Sequence, residues 1–175
     1  MSKSFIRSIA IASGLVLGVI AGASAASAGT ATANLGTSAS VTANCTISTA
    51  PIAFGAYDPI VANASANLDQ TGTVTVACTN GASVAVTLGQ GANAGAGSSD
   101  AAPVRQMSNG TDMMSYSLYA DSGRTTVWGN TAGTGVARTG TGVADALTVY
   151  GRVGSGQTSV KAGNYSDTVV ATVTF

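Results

Sequence analysis

The chain contains no histidine and no glutamate among its 175 residues. Without an imidazole there is no Ser-His-Asp or Cys-His constellation to activate a nucleophile. Carboxylate chemistry falls to seven Asp side chains, which leaves an Asp pair of the glycosidase kind as the one rival enzymatic reading. Asp58, Asp121 and Asp167 each sit in or beside a turn-like motif, where capping and turn hydrogen bonds are the simpler explanation. Two cysteines with no His or Glu to complete a coordination shell make a poor metal site. No catalytic, metal-binding or cofactor-binding residue is therefore expected. Charge is sparse as well, at 8% of residues. There is no basic patch for nucleic acid, and little field to steer a partner. Leu and Lys are scarce beside Gly, Ala, Thr, Ser and Val, a composition that favours strands and turns over helices.

Residues 1–28 read as a secretory signal peptide. Lys3 and Arg7 form a basic start, and Ile9 to Ile20 is an apolar run broken only by Ser13 and two glycines. Ala23-Ser24-Ala25 and Ala26-Ser27-Ala28 both fit a small-x-small cleavage site. The apolar run is short for an uncleaved membrane anchor, which needs about 20 residues. Cleavage after Ala28 leaves Arg105, Arg124, Arg138, Arg152 and Lys161 against seven Asp, a net charge of about −2. In an exported chain, Cys45 and Cys78 most simply form one disulfide.

Strand-like alternation recurs along the mature chain. Thr30 to Val41 places Ala31, Ala33, Leu35, Thr37, Ala39 and Val41 on one face. Its apolar face is thin, and as a free end it needs a sheet edge to pair with. Val41 to Ile47 continues the alternation until Pro51 breaks it, Phe54 to Pro59 reads as a strand end entering a turn, and 60–69 reads as a loop. Thr71–Cys78 and 83–88 flank Asn80-Gly81 and are expected to form an antiparallel hairpin. Gly89 to Pro103 is low in complexity and reads as a mobile surface loop; it lacks the Lys-Ser/Thr pair and helix of a phosphate loop. A short strand at Val104–Met107, the Asn109-Gly110 turn, strands at Met114–Ala120 and Thr125–Trp128, a Gly/Thr-rich connection over 129–144, and a strand at Ala146–Val153 follow. Tyr165 to Phe175 puts Tyr165, Asp167, Val169, Ala171, Val173 and Phe175 on one face. Strands at this spacing, without helical periodicity, indicate an all-β sandwich or barrel. Trp128, Tyr116, Tyr119, Tyr150 and Phe54 read as packing residues rather than a sugar site. Four Asn-x-Ser/Thr matches, at Asn44, Asn63, Asn109 and Asn164, are given no role.

A series of motifs in fixed order resembles the spore coat protein U domain, found in subunits of archaic (Csu-type) chaperone–usher pili. They are Cys45 with Ile47, Phe54-Gly55-x-Tyr57, Val74-x-Val76-x-Cys78-Thr79, Tyr116-x-Leu118-Tyr119-x-Asp121, Gly151-Arg152 with Gly156-Gln157, and Gly163-x-Tyr165-x-Asp167-Thr168 running to Phe175. The resemblance implies an incomplete immunoglobulin-like β-sandwich, completed by a donor strand from a neighbouring subunit. On that reading 29–42 is the donor strand, with the alternate residues from Ala31 to Val41 facing inward, and 43–175 is the pilin domain. Val169, Ala171, Val173 and Phe175 would border the acceptor groove and serve as the chaperone's handle. The implied partners are identical subunits, a periplasmic chaperone and an outer-membrane usher, and the implied destination is an extracellular pilus for adhesion or biofilm formation. Donor strands of the family often carry larger aliphatic residues than Ala31, Ala33 and Ala39. A secreted spore-coat or matrix protein is the alternative. A tip adhesin fits less well, since adhesins of this kind usually carry two domains and the chain has room for one.

Overall fold

A computed structural model describes residues 27–175. Residues 1–26, which hold nearly all of the signal-peptide segment, lie outside the described residues. The chain divides into two units, Met1–Ala39 and Ser40–Phe175. In the first, residues 27–39 contain neither helix nor strand and are exposed throughout; Leu35 is 89% exposed.

The second unit is an antiparallel sandwich of eight strands. They are β1 (Cys45–Ala50), β2 (Leu68–Cys78), β3 (Ser83–Leu88), β4 (Arg105–Ser108), β5 (Met113–Tyr119), β6 (Val136–Thr139), β7 (Ala144–Val153) and β8 (Ala171–Thr174). One sheet runs β1-β2-β7-β5-β4 and the other β6-β3-β8. The period of two places one row of each strand inward. Val74, Val76 and Cys78 of β2, Met114, Tyr116 and Leu118 of β5, and Leu147, Val149 and Val153 of β7 face Val84, Val86 and Leu88 of β3 across the core. Trp128 is fully buried between them, and its indole N–H donates to the Val86 carbonyl at 2.8 Å, so its polar atom is not left unpaired.

The expected hairpin between 71–78 and 83–88 does not form: β2 pairs with β1 and β7, and β3 with β6 and β8. Asn80-Gly81 does reverse the chain, with Gly81 at φ 82° and Ala82 N–H bonded to the Thr79 carbonyl at 3.0 Å. But the turn carries the chain from one sheet to the other. Pairing within one sheet would set both valine rows side by side on one face, whereas crossing lets the rows bury each other. The crossing is held by the β6–β7 connection, through Gly81 N–H to Gly140 O at 2.9 Å and Gly140 N–H to Ala82 O at 2.7 Å.

Other boundaries also shift. Regular pairing begins at Cys45 rather than Val41, β2 starts at Leu68 inside the expected loop, and β6 lies within the expected Gly/Thr connection. Thr125–Trp128 contributes one bridge, Tyr119 to Val127, and no strand. The Asn109-Gly110 hairpin between β4 and β5 forms as expected. The Gly89–Pro103 segment is a loop but not a free one: Gly89, Ala92 and Gly95 N–H groups bond to Val170, Thr168 and Val104 carbonyls at 2.8–3.0 Å. Arg105, itself buried, secures its start by donating to the carbonyls of Leu88, Gly89 and Trp128 at 2.8–2.9 Å.

Cys45 and Cys78 are joined in a disulfide and lie opposite each other in the β1–β2 ladder. This marks one end of the sandwich, the disulfide end. At the far end Leu68 lies opposite Val153. Among the described residues no helix is long and apolar enough to cross a membrane.

Candidate functional site

The segment after β1 and the segment before β8 form the walls of a groove with an apolar floor. On the first wall, Ile52 and Phe54 lie against the inner face of the large sheet, over Gly72 and Gly151. A Cβ on Gly72 would come within 2.5 Å of Ile52, and one on Gly151 within 2.8 Å of the Phe54 ring. Only glycine permits this approach. Phe54 meets Tyr116 edge-on at 6.1 Å between ring centroids. The Tyr57 hydroxyl donates to the Gly154 carbonyl at 2.8 Å and accepts from Gln157 N–H at 3.0 Å.

The second wall is the C-terminal segment. From 165 to 174 its residues alternate strictly, odd positions half-buried and even positions exposed. Ser166 exchanges two backbone hydrogen bonds with Ser108 of β4, and the Thr168 and Val170 carbonyls accept from Ala92 and Gly89. These bonds lie on the side away from the first wall. No backbone group of residues 51–57, Asp167 or Val169 bonds to the backbone of any described residue. Both walls thus carry backbone groups without main-chain partners among the described residues, an edge open to an added strand.

Asp167 pins the second wall in place. One carboxylate oxygen accepts from Ala92 N–H at 2.9 Å and from the Asn93 main-chain and side-chain N–H groups at 3.2 Å. The other accepts from the Tyr116 hydroxyl at 2.6 Å. Burial, with the Asp167 charge beside it, pushes the Tyr116 phenol well above its ordinary range, so it remains a proton donor.

Between the walls run two contiguous depressions of about 370 and 760 Å³. Ile52, Phe54, Met107 and Tyr165 border both. The smaller one reaches core residues Val74, Leu88, Leu118 and Val149, toward the disulfide end. The larger one reaches Pro59, Leu68, Val153 and Val160, at the far end. The lining mixes apolar side chains with polar groups, among them Thr73, Ser166, Asp167 and Asn164, and no cluster of metal-ligating side chains occurs among the described residues.

Of the four C-terminal residues read from the sequence as bordering a groove, Val169 and Ala171 line it. Val173 pairs with Val86 in the β3–β8 ladder, and Phe175 lies past the strand, 55% exposed. Sequence reading missed Ile52, Met107, Val160 and Tyr165 as lining residues. The spacing of Ile52 and Phe54 on the far side of Pro51 was the available signal. Asp167 is not the turn cap expected for it. Asp58 and Asp121 are such caps: Asp58 accepts from Ile60 and Val61 N–H, and Asp121 from Thr125 and Thr126 N–H. The donor-face residues from Ala31 to Val41 are exposed, with Val41 at 85%.

The Spore Coat Protein U domain family matches residues 31–172 of the chain. Protein U of Myxococcus xanthus is 46% identical over 160 residues, covering 87% of this chain and 89% of that one. A chain from the crystal structure of the CsuC–CsuE chaperone–tip adhesion subunit pre-assembly complex, from archaic chaperone–usher Csu pili of Acinetobacter baumannii, superposes with a TM-score of 0.56. That match has 16% identity and covers 77% of this chain but 40% of the other, so this chain spans less than half of that structure's length. It identifies the fold as an immunoglobulin-like β-sandwich. Nearly full-length matching to one family, with close identity to a relative, places the chain in the spore coat protein U domain family, whose members are structural proteins and not enzymes.

Proposed function

We propose that the chain is a subunit of a chaperone–usher pilus and polymerises by donor-strand complementation. The observation that carries this is the groove: two walls with backbone groups that lack main-chain partners among the described residues, over an apolar floor. An exposed alternating segment, 30–41, in the same chain offers the missing strand. The parity of the two fits. Directly opposed residues in a sheet share a face, so the inward row Ala31, Ala33, Leu35, Thr37, Ala39 and Val41 would stand against the inward row Asp167, Val169 and Ala171. Small donor residues suit a groove already part-filled by Ile52, Phe54, Met107 and Tyr165. An unfilled groove is an aggregation hazard, which a periplasmic chaperone would cover until an outer-membrane usher exchanges it for a neighbour's segment. The destination is then the cell surface, as an extracellular fibre.

Deleting Ala31 to Ser40 tests this. The shortened subunit should be recovered soluble with its chaperone but should not polymerise. Unfolding and degradation of the shortened chain would show that the segment belongs to its own core. A second reading, a secreted coat or matrix protein, draws on the family's description and on the 46% identical Protein U. Genes for a chaperone and an usher beside this one favour the pilus, and their absence favours the coat.

A further inference from the structure

From the ends of the sandwich we infer a second contact between successive subunits: Ile60 and Val61 of one copy dock on the 140–143 turn, with Val143, of the next. The inference rests on the donor-strand reading and extends it to the bodies of the subunits.

The direction of the donor follows from topology. The N-terminal segment leaves the body at the disulfide end, where Asn44 is fixed to Thr79 by main-chain and side-chain hydrogen bonds of 2.9 and 3.0 Å. If it entered a neighbour's groove from that neighbour's disulfide end, two copies would fill each other and assembly would stop at a closed pair. An open fibre requires entry from the far end, past Pro59 and Val160. The donor then runs antiparallel to 165–174, with Val41 at the far-end mouth and Ala31 toward Ala171.

The linker decides how close the bodies come. Val41 is the last donor-face residue, and the body takes hold within three residues of it: the Thr42 carbonyl accepts from the Thr79 hydroxyl at 3.4 Å and Asn44 N–H donates to that hydroxyl at 3.0 Å. Three residue steps span about 10 Å when fully extended. The disulfide end of the donating copy is therefore held against the far end of the accepting copy.

Both ends carry exposed apolar side chains at that place. At the far end Ile60 and Val61 are 72% and 76% exposed, on a turn whose Pro59 lines the groove. The turn is rigidly braced. Asp58 Oδ1 accepts from Ile60 and Val61 N–H at 2.9 and 3.1 Å. Buried Asn63 accepts from Asp58 N–H at 3.0 Å and donates to the Ala66 carbonyl at 3.0 Å through its side chain. Its own carbonyl accepts from Gly156 N–H at 2.9 Å. Large apolar side chains on a fixed backbone lose little freedom on docking. At the disulfide end Val143 is 67% exposed. Its turn is tied by Gly142 N–H to the Cys78 carbonyl at 2.9 Å, one residue from the Thr79 that anchors the linker. So few side chains make an interface far below the roughly 1,200 Å² of a stable complex. It forms only between bodies that the donor strand already tethers.

The test places a photo-crosslinking benzoylphenylalanine at Ile60 in assembled fibres, irradiates them, and maps adducts by mass spectrometry. Adducts to residues 140–143 of another copy are expected. The same group at Val143 should capture residues 58–63 in return, which covers the case in which the Ile60 variant fails to assemble. No intersubunit adduct at either position, or adducts confined to other surfaces, overturns the inference. The group at Leu35 reports separately on the donor-strand reading: capture by 52–57 or 160–171 of a neighbour supports it, and its absence counts against it, whatever Ile60 shows.

Discussion

The Tyr116 hydroxyl donates to the Asp167 carboxylate at 2.6 Å, joining the inner face of β5 to the segment that walls the groove. The same carboxylate holds the Ala92 and Asn93 N–H groups. Tyr116→Phe removes one bond to a charged acceptor that keeps its other donors, a loss of about 1.5–3 kcal/mol. Asp167→Ala leaves the buried hydroxyl and the Asn93 N–H groups unpaired, while Ala92 keeps its bond to the Thr168 carbonyl, and should cost more. Urea unfolding of both variants is the check. Equal stabilities would mean that Asp167 does not organise the wall.

The disulfide closes a separation of 33 residues. In the chain-entropy model, reduction should cost about 3–4 kcal/mol. Urea midpoints with and without reductant measure it. An unchanged midpoint would show that the β1–β2 ladder holds alone.

Individual strands were far more legible in the sequence than their partners. The alternations at Val74–Cys78, Met114–Leu118 and Tyr165–Val173 carry inward rows that the structure buries or half-buries. Alternation reports which side of a strand is apolar, and is silent on which sheet the strand joins. Hence Asn80-Gly81 was read as a hairpin although it crosses between sheets. β6, with the sequence VART and no buried residue, carries no alternation to find. Its place comes from pairing with β3, a long-range fact. The groove's C-terminal wall was visible in part, because its period continues through Val169 and Ala171. Its other wall was hidden, because Ile52 and Phe54 acquire their position from Gly72 and Gly151, which are distant in sequence.

Those glycines supply a steric prediction. Gly151→Ala would place a Cβ 2.8 Å from the Phe54 ring, and over-packing of this kind typically costs about 1–3 kcal/mol. The variant should unfold at lower urea and, on the donor-strand reading, accept an added strand less well, because the displaced wall narrows the slot. A wild-type midpoint would mean that Phe54 moves aside freely.

With no His or Glu, Asp side chains dominate the acid response. Hydrogen bonds hold Asp58, Asp69, Asp100, Asp112 and Asp121 below the usual carboxylate range, the Arg152 guanidinium acting on Asp69 and main-chain N–H groups on Asp58, Asp112 and Asp121. A carboxylate whose pKa falls on folding adds stability above its unfolded value of about 3.9, and this is lost as pH falls through the folded value. Stability should be nearly flat from about pH 6 to 7 and decline below about pH 4. Thermal unfolding across this range checks it. A decline centred near pH 6.5 would contradict the assignment.

The central claim is that 30–41 fills a neighbour's groove with its odd residues inward. Leu35 is the largest side chain in the middle of that row, and burying it is worth about 1.5–3 kcal/mol. Leu35→Asp also sets a charge in an apolar slot, whereas Asn34 faces the other side. The most direct measurement is the ladder of subunit multimers on an unheated denaturing gel, for Leu35→Asp and Asn34→Asp at matched expression. The account predicts that the ladder is lost or shortened for Leu35→Asp and nearly intact for Asn34→Asp. Equal effects, or a larger effect at Asn34, would contradict it.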